Sequence, residues 1–486
     1  MKIRCANPGW RREGNAKARP LQPRSFASAR RALLALAALC AAALSTPASA
    51  THDLLEDLLP EPGGAALGAA VRVQESPYRD GGMRNYFLPL YLYESEHVYL
   101  HAYRLGLKFD LGGGQRADMF ITHRFEGFPV DNVPATLAGM TFRQAEADAG
   151  VSYELHSERL GHVFADLYHD VSGLSGGSEL QIGISNDWRR GGLQLAPVFS
   201  VSYRDARLNN YYYGVLPEEA TADRPAYDPG SGVNWTVGVN ARYDLTERWR
   251  LVGGVSVTEW STGVRHSPIV DDRPQFTGFA GFAYDLSPNR PELVHDGVPL
   301  IVKYLHGKST DCNLLPIMEF RCTSVSTEDH TTVDSIEIGR PFIERLNGWP
   351  LDFVGYIGLL HHNERGLQDN FWQVDLYMKP FFYGFPWSEK VMTRIGFGMG
   401  MSYAQKIPFV EAQSQAERGR NTSKLLQYLD PTIDVSVGDV VGARKLHDTY
   451  FGFGVSHRSG IFGTSQLFGD VNGGSNYIYT YIETRL

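Results

Sequence analysis

Hydrophobicity in this 486-residue chain recurs at every second residue, in segments of about ten residues separated by turn signals. That period belongs to strands, whose successive side chains point to opposite faces. Segment 97–110 sets Tyr99, Tyr103, Leu105, Leu107 and Phe109 on one face, against Arg104, Gly106, Lys108 and Asp110. Segment 115–126 repeats the pattern, with Met119, Ile121 and Phe125 opposite Asp118, Arg124 and Glu126. A helical membrane protein is excluded, because no run of about 20 apolar residues follows residue 50. Alternation alone fits two classes of fold: a membrane barrel with its apolar face outward, or a soluble sandwich or lipocalin-like barrel with its apolar face inward. Composition favours the first. The chain has 25 Tyr, 25 Phe, 8 Trp and 51 Gly, with a mean hydropathy of −0.25, as an outer-membrane barrel does.

The expected fold class is all-β, with transmembrane antiparallel β-barrels. Ten strands are read at 84–93, 97–110, 115–126, 144–156, 161–172, 177–187, 192–204, 232–245, 248–260 and 274–286. Eight more follow at 298–308, 331–343, 350–362, 370–383, 390–404, 422–438, 447–459 and 475–485. Each number is even, as a single-chain barrel with both ends in the periplasm requires. Between the two series, 287–297 begins Ser287-Pro288-Asn289-Arg290-Pro291 and reads as a linker. In the second series Arg394, Gly396, Gly398, Gly400 and Ser402 share the inner face, and such small residues suit a narrow lumen filled by side chains.

The first 50 residues differ from the rest. They carry nine Lys or Arg and one Glu, a net +8, which leaves −16 on the remainder. Arg30 and Arg31 precede an apolar stretch from Ala32 to Leu44, and Ala48-Ser49-Ala50 supplies small residues for cleavage. Residues 1–50 therefore read as a secretory signal peptide cleaved near Ala50, and 51–79 as an N-terminal periplasmic segment. The acidic mature part argues against a nucleic-acid partner. Only Cys312 and Cys322 remain after cleavage, in a polar stretch outside any strand. A disulfide closing a surface loop is the expected state in an oxidising compartment. Zinc would need two further ligands at suitable spacing, which the neighbourhood lacks. No nucleotide, metal or redox motif is seen, so no cofactor is expected.

Residues 80–286 contain Asp170-Val171-Ser172-Gly173, Tyr212-Tyr213-Gly214-Val215, Arg224-Pro225-Ala226-Tyr227-Asp228-Pro229-Gly230-Ser231-Gly232 and Ser267-Pro268-Ile269-Val270. In this ordered set the chain resembles the MipA/OmpV family, also called MltA-interacting proteins. The resemblance implies an outer-membrane barrel. In one member it implies a scaffold linking a lytic transglycosylase to a peptidoglycan synthase, so peptidoglycan-remodelling enzymes are the partners it suggests. It brings no chemistry. Read physically, Pro225 and Pro229 around Tyr227 make a rigid loop.

Residues 298–486 carry Phe453-Gly454-Val455-Ser456-His457-Arg458-Ser459 before a loop and a last strand. In this signature and in strand number the second half is similar to the lipid A 3-O-deacylase family, an eight-stranded outer-membrane esterase barrel. That resemblance implies His457 as general base, Ser459 as nucleophile and Asp470 as the acid orienting the base. Gly460 stands where the family has Asn, so an oxyanion donor must come from elsewhere, with Asn472 and Asn476 as substitutes.

The same residues can be argued from chemistry. A serine attacks an ester well only when a base takes its proton and a third group orients that base. At spacing i, i+2, His457 and Ser459 share a strand face with Phe451, Phe453 and Val455, the lipid-facing one, while Arg458 points into the lumen. Counted from a periplasmic start at 298, strand 447–459 runs outward and ends at the outer leaflet, where lipid A of lipopolysaccharide lies. The sequence thus supports a serine esterase acting on lipid A acyl chains. The alternative is a non-enzymatic structural or scaffold protein of the envelope.

Overall fold

The computed structural model describes residues 55, 64–129, 133–157, 161–286, 299–326 and 328–486. The expected signal peptide (1–50) and linker (287–297) lie outside the described residues.

Strands β1 (Gly64–Glu75), β2 (Met83–Glu94), β3 (Val98–His101), β4 (Arg104–Gly112) and β5 (Gln115–His123) pair in sequence, each antiparallel to the last. The sheet continues through β6 (Ala147–Ser157), β7 (Gly161–Asp170) and β8 (Ser178–Ser185). The short β9 (Trp188–Arg190) prolongs the line of β8, since both pair with β10 (Leu193–Arg204). Then β11 (Gly232–Asp244), β12 (Trp249–Glu259) and β13 (Gln275–Asp285) bring the sheet round to β1. With β8 and β9 counted as one, the first barrel has twelve strands.

The second barrel closes on itself with eight strands. They are β14 (Ile301–Ser309), β15 (Thr332–Ile343), β16 (Leu351–Asn363), β17 (Phe371–Phe382), β18 (Thr393–Ala404), β19 (Leu425–Ser436), β20 (Thr449–Ser459) and β21 (Asn476–Arg485). No helix among the described residues is long and apolar enough to cross a membrane.

The fold class and the eight strands agree with the sequence reading; the number ten does not. Segment 97–110 is two strands, because the chain turns at Ala102, whose φ is 53°. The turn also reverses one face. Tyr99 is buried and accepts a hydrogen bond from Arg104 Nε at 3.1 Å, whereas Leu105, Leu107 and Phe109 face outward and are exposed to the lipid side. The other missing strand is β1, inside the stretch read as periplasmic (51–79). Its sequence GAALGAAVRVQE has small residues on both faces and so a weak alternation. Two strands were missed together, so the parity remained even.

The lumen of the second barrel is filled by charged side chains. In the second barrel Lys303 Nζ lies 3.1 Å from Glu337 and 3.2 Å from Asp430, and Lys379 Nζ donates to Asp430 at 2.7 Å. Arg394 donates twice to Asp434, at 2.9 and 2.8 Å, and to Glu483 at 2.7 Å. Burying so many charges is tolerable because each is paired and hydrogen-bonded. Inner-face glycines make the room: a Cβ on Gly398 would stand 2.9 Å from the Tyr377 ring, and one on Gly454 2.5 Å from that of Tyr479. At the outer mouth, helix α4 (Phe409–Glu417) is held down by Arg458, whose Nε donates to Glu411 at 3.2 Å; the earlier α-helices among the described residues are α1 (Ala206–Tyr213), α2 (Thr262–Arg265) and α3 (Leu314–Met318).

The barrels meet wall to wall. Met378 packs with Tyr91 and Leu100, Phe353 and Ile343 pack with Ala65 and Leu286, and Gln427 Nε2 donates to the Tyr91 hydroxyl at 2.9 Å. At the outer end the contact has a further cause. β3 pairs with β2 only at Leu92, Tyr93 and Glu94, so beyond that point β2 has an open edge among the described residues. The β20–β21 loop covers it. Phe87 N donates to Thr464 O at 2.7 Å, and Leu467, Phe468 and Val471 are buried in one cluster with Leu88 and Leu90. Pro89, two residues from Phe87 on the same edge, has no N–H to leave unpaired.

Candidate active site

The outward face of β20 carries Phe451, Phe453, Val455, His457 and Ser459, and its inner face carries Tyr450, Ser456 and Arg458, as the period of two requires. Arg458 is buried in the lumen, where it donates to Ser402 Oγ at 2.9 Å and to the Ser423 and Lys424 carbonyls at 3.1 and 3.2 Å. His457 and Ser459 stand half-buried at the outer end of the strand.

The loop after β14 lies against this face. Cys312 and Cys322 are joined by a disulfide with Cα atoms 5.8 Å apart. Cys312 and Ile317 of α3 cover Val455, and Phe320 lies 6.4 Å from Phe453, ring to ring.

His457 pairs in register with Asn476, the first residue of β21. Its Nδ1 lies 2.5 Å from Asn476 Oδ1, while Asn476 Nδ2 donates to the Cys312 carbonyl at 3.0 Å. A carbonyl can only accept, so the amide nitrogen must face Cys312 and the amide oxygen must face His457. Nδ1 therefore carries the proton and Nε2 the lone pair. This is the tautomer a general base for a serine needs.

Ser459 Oγ accepts from Ile461 N at 3.2 Å, and no hydrogen bond links it to His457 in this resting arrangement. The chain just after Ser459 is strained: Ile461 and Phe462 have φ of 52° and 57°, a region that branched and bulky side chains rarely occupy. Strain of this kind concentrates at functional sites.

The other expected site residues fall elsewhere. Asp470, read as the orienting acid, lies between Phe468 and Val471 in the stretch of loop that covers the first barrel. No carboxylate contacts His457 among the described residues. Asn472 is exposed, and its carbonyl accepts from Arg420 at 2.8 Å. Asn476 is no oxyanion donor, because its amide is taken up by Cys312 and His457. Its side chain bridges His457 and the Cys312 carbonyl. No spacing along the chain marked this role, because the register that sets residue 476 opposite 457 belongs to the folded β20–β21 pair.

The residues of the first-half motifs hold loops together rather than forming a reaction site. Asp170 accepts from the backbone N–H of Ser172, Gly173, Ser175 and Gly176 at 2.7 to 3.2 Å. Arg224 donates to the carbonyls of Thr136, Ala138 and Glu219. Tyr227 OH donates to Gly263 O at 2.8 Å, and Ser267 Oγ to Tyr213 O at 2.7 Å. Together they tie a cap of outer loops around Tyr78, Tyr212, Tyr213, Trp260 and Ile269.

Residues 67–286 match the model of the family MltA-interacting protein MipA. The first barrel belongs to the MipA/OmpV family. The match begins within β1, so the family's barrel includes the strand missed in sequence. The chain is 28% identical to outer membrane protein YiaT of Escherichia coli O157:H7 over 45% of this chain and 89% of that protein. It is 30% identical to outer membrane protein OmpV of Vibrio cholerae over 31% and 58%. It is 27% identical to the MltA-interacting protein of Escherichia coli K12 over 43% and 85%. Among solved structures, copper transporter OprC aligns over 87% of this chain and 80% of that one, at 10% identity and a TM-score of 0.24. LpxR from Salmonella typhimurium aligns over 64% and 88%, at 10% identity and a TM-score of 0.18. With a MipA/OmpV barrel and outer-membrane relatives, the protein is placed in the Gram-negative outer membrane.

Proposed function

We propose that the second barrel is a serine esterase acting on acyl esters of lipid A in the outer leaflet, with Ser459 as nucleophile, His457 as general base and Asn476 orienting the base. The observation that carries this reading is the hydrogen bond of His457 Nδ1 to the amide oxygen of Asn476, which leaves Nε2 basic on the face it shares with Ser459. Asn takes the place of Asp470 in the reading, as it does in Cys-His-Asn enzymes. The surroundings favour a lipid substrate: Leu315, Met318 and Phe320 are exposed on the loop that packs on β20, Phe320 beside Phe453, and extend its apolar wall. The filled lumen and the tethered α4 count against a diffusion pore.

The test is the mass of lipid A from cells expressing each folded variant. Wild-type protein should remove an acyl chain, and Ser459→Ala and His457→Ala should each abolish the change, because neither group works without the other. Asp470→Ala should leave it intact. Lipid A unchanged by the wild-type protein under several growth conditions sinks the esterase.

A second reading, a scaffold without chemistry, is favoured by the relative named MltA-interacting protein. Under it the periplasmic end associates with peptidoglycan-remodelling enzymes, and cross-linking in intact cells should recover such an enzyme equally well with Ser459→Ala.

A further inference from the structure

We propose that the Cys312–Cys322 loop sets the tautomer of His457 through Asn476, so that a disulfide loop outside the barrel wall prepares the base of the esterase. The inference deepens the esterase reading and takes its purpose from it. Its physical content, the position of one proton, is independent of activity.

An amide side chain has two ends of nearly equal size and opposite hydrogen-bonding sense. If the Asn476 amide turned over, its NH2 would donate to His457 Nδ1. The proton of the ring would move to Nε2, which could then no longer accept. A carboxylate has no such wrong face. An asparagine in this position therefore needs an outside acceptor to hold its amide one way round, and the Cys312 carbonyl is that acceptor.

The carbonyl is itself held firmly. Cys312 is buried, bonded to Cys322, and its N–H donates to Thr310 Oγ1 at 3.1 Å. Thr310 Oγ1 in turn donates to the Ser324 carbonyl at 2.6 Å, across the loop. Ile317 and Cys312 pack on Val455, two residues before His457 on the same face. Without the disulfide this loop of ten residues' separation loses the constraint that keeps its carbonyl over Asn476.

The experiment uses the full chain, labelled with 15N-histidine and folded in detergent micelles, with His457 identified by the signal lost in His457→Gln. Heat-modifiable migration first establishes that each variant is folded. Wild-type protein should show His457 protonated on Nδ1 alone. The Cys312→Ser/Cys322→Ser protein should show both tautomers. Adding Asn476→Asp to that protein should restore Nδ1–H, because a carboxylate accepts from either oxygen. A merely structural role for the disulfide does not predict this rescue. The rate at which a fluorophosphonate labels Ser459 should follow: about twofold slower for an even mixture, and up to about 10⁴-fold slower where the wrong tautomer prevails.

Wild-type His457 protonated on Nε2, or Nδ1–H persisting unmixed after loss of both cysteines, overturns the proposal. A tautomer that follows the variants while lipid A stays unchanged supports it and refutes the esterase reading alone.

Discussion

A Cβ on Gly460 would stand 2.0 Å from the carbonyl oxygen of Val471, so the residue after Ser459 has no room for a side chain. The returning loop closes on it, with Gly460 N donating to Gly473 O at 3.1 Å. This is the physical reason that Gly stands where the deacylase pattern has Asn, and why no oxyanion donor can come from this position's side chain. Gly460→Ala should push the loop off the wall and lower stability by about 1–3 kcal/mol, the usual cost of overpacking. The temperature at which the heat-modifiable form is lost measures it; an unchanged temperature would show that the loop gives way freely. His457 and Ser459 were legible in the sequence because a shared strand face follows from spacing alone. Asp470 was misread because its place depends on where a loop of sixteen positions folds, and spacing says nothing of that.

Among the elements, the outer loops of the first barrel are joined by Glu219, which accepts from Arg143 Nη2 at 2.8 Å, Thr141 N at 2.9 Å and Leu216 N at 3.1 Å. Burial alone would raise this carboxyl, but the Arg143 guanidinium and the two N–H groups outweigh it and hold it below the usual carboxylate range. A carboxyl whose folded value is depressed adds stability above its unfolded value, about 4.3, and that stability is lost as pH falls through the folded one. The cap should therefore hold at neutral pH and loosen below about pH 4. In Glu219→Gln protein it should be looser already at neutral pH, with less of this acid dependence. Proteolysis of the 205–231 loop across pH reads both; equal cleavage of wild type and variant at pH 7 would refute the assignment. Strand identity was legible wherever apolar residues alternated strongly. It failed at β1, where alanine and glycine on both faces flatten the pattern, and at Ala102, where a turn of two residues hides within an apparently continuous strand.

The described residues form two barrels whose walls complete one another. The open edge of β2 offers unpaired backbone groups, which barrel proteins avoid by closure; here the second barrel's loop supplies the cover. Phe468, fully buried at this contact, anchors it. Phe468→Asp should weaken the contact by at least about 3–5 kcal/mol, as truncating a buried Phe does, and expose the β2 edge. The second barrel, closed by its own pairing of β14 with β21, should stay folded in that variant, while the first becomes susceptible to proteolysis near residues 83–90. Joint loss of both barrels would mean that they fold as one unit.

By itself the sequence determined the class of fold, the eight strands of the second barrel, the membrane it belongs to and the face on which His457 and Ser459 lie. The strands and their faces follow from a period of two residues, and the membrane from an aromatic- and glycine-rich composition of low hydropathy, all of them local properties summed along the chain. Tertiary structure alone decided that the first ring has twelve strands, that Leu467, Phe468 and Val471 around Asp470 cover β2, and that Asn476 and the Cys312 carbonyl hold His457. Those depend on which backbone edge is left unpaired and which loop reaches it. Such facts are set by closure in space between residues as distant as Phe87 and Thr464, and no pattern along the chain encodes them.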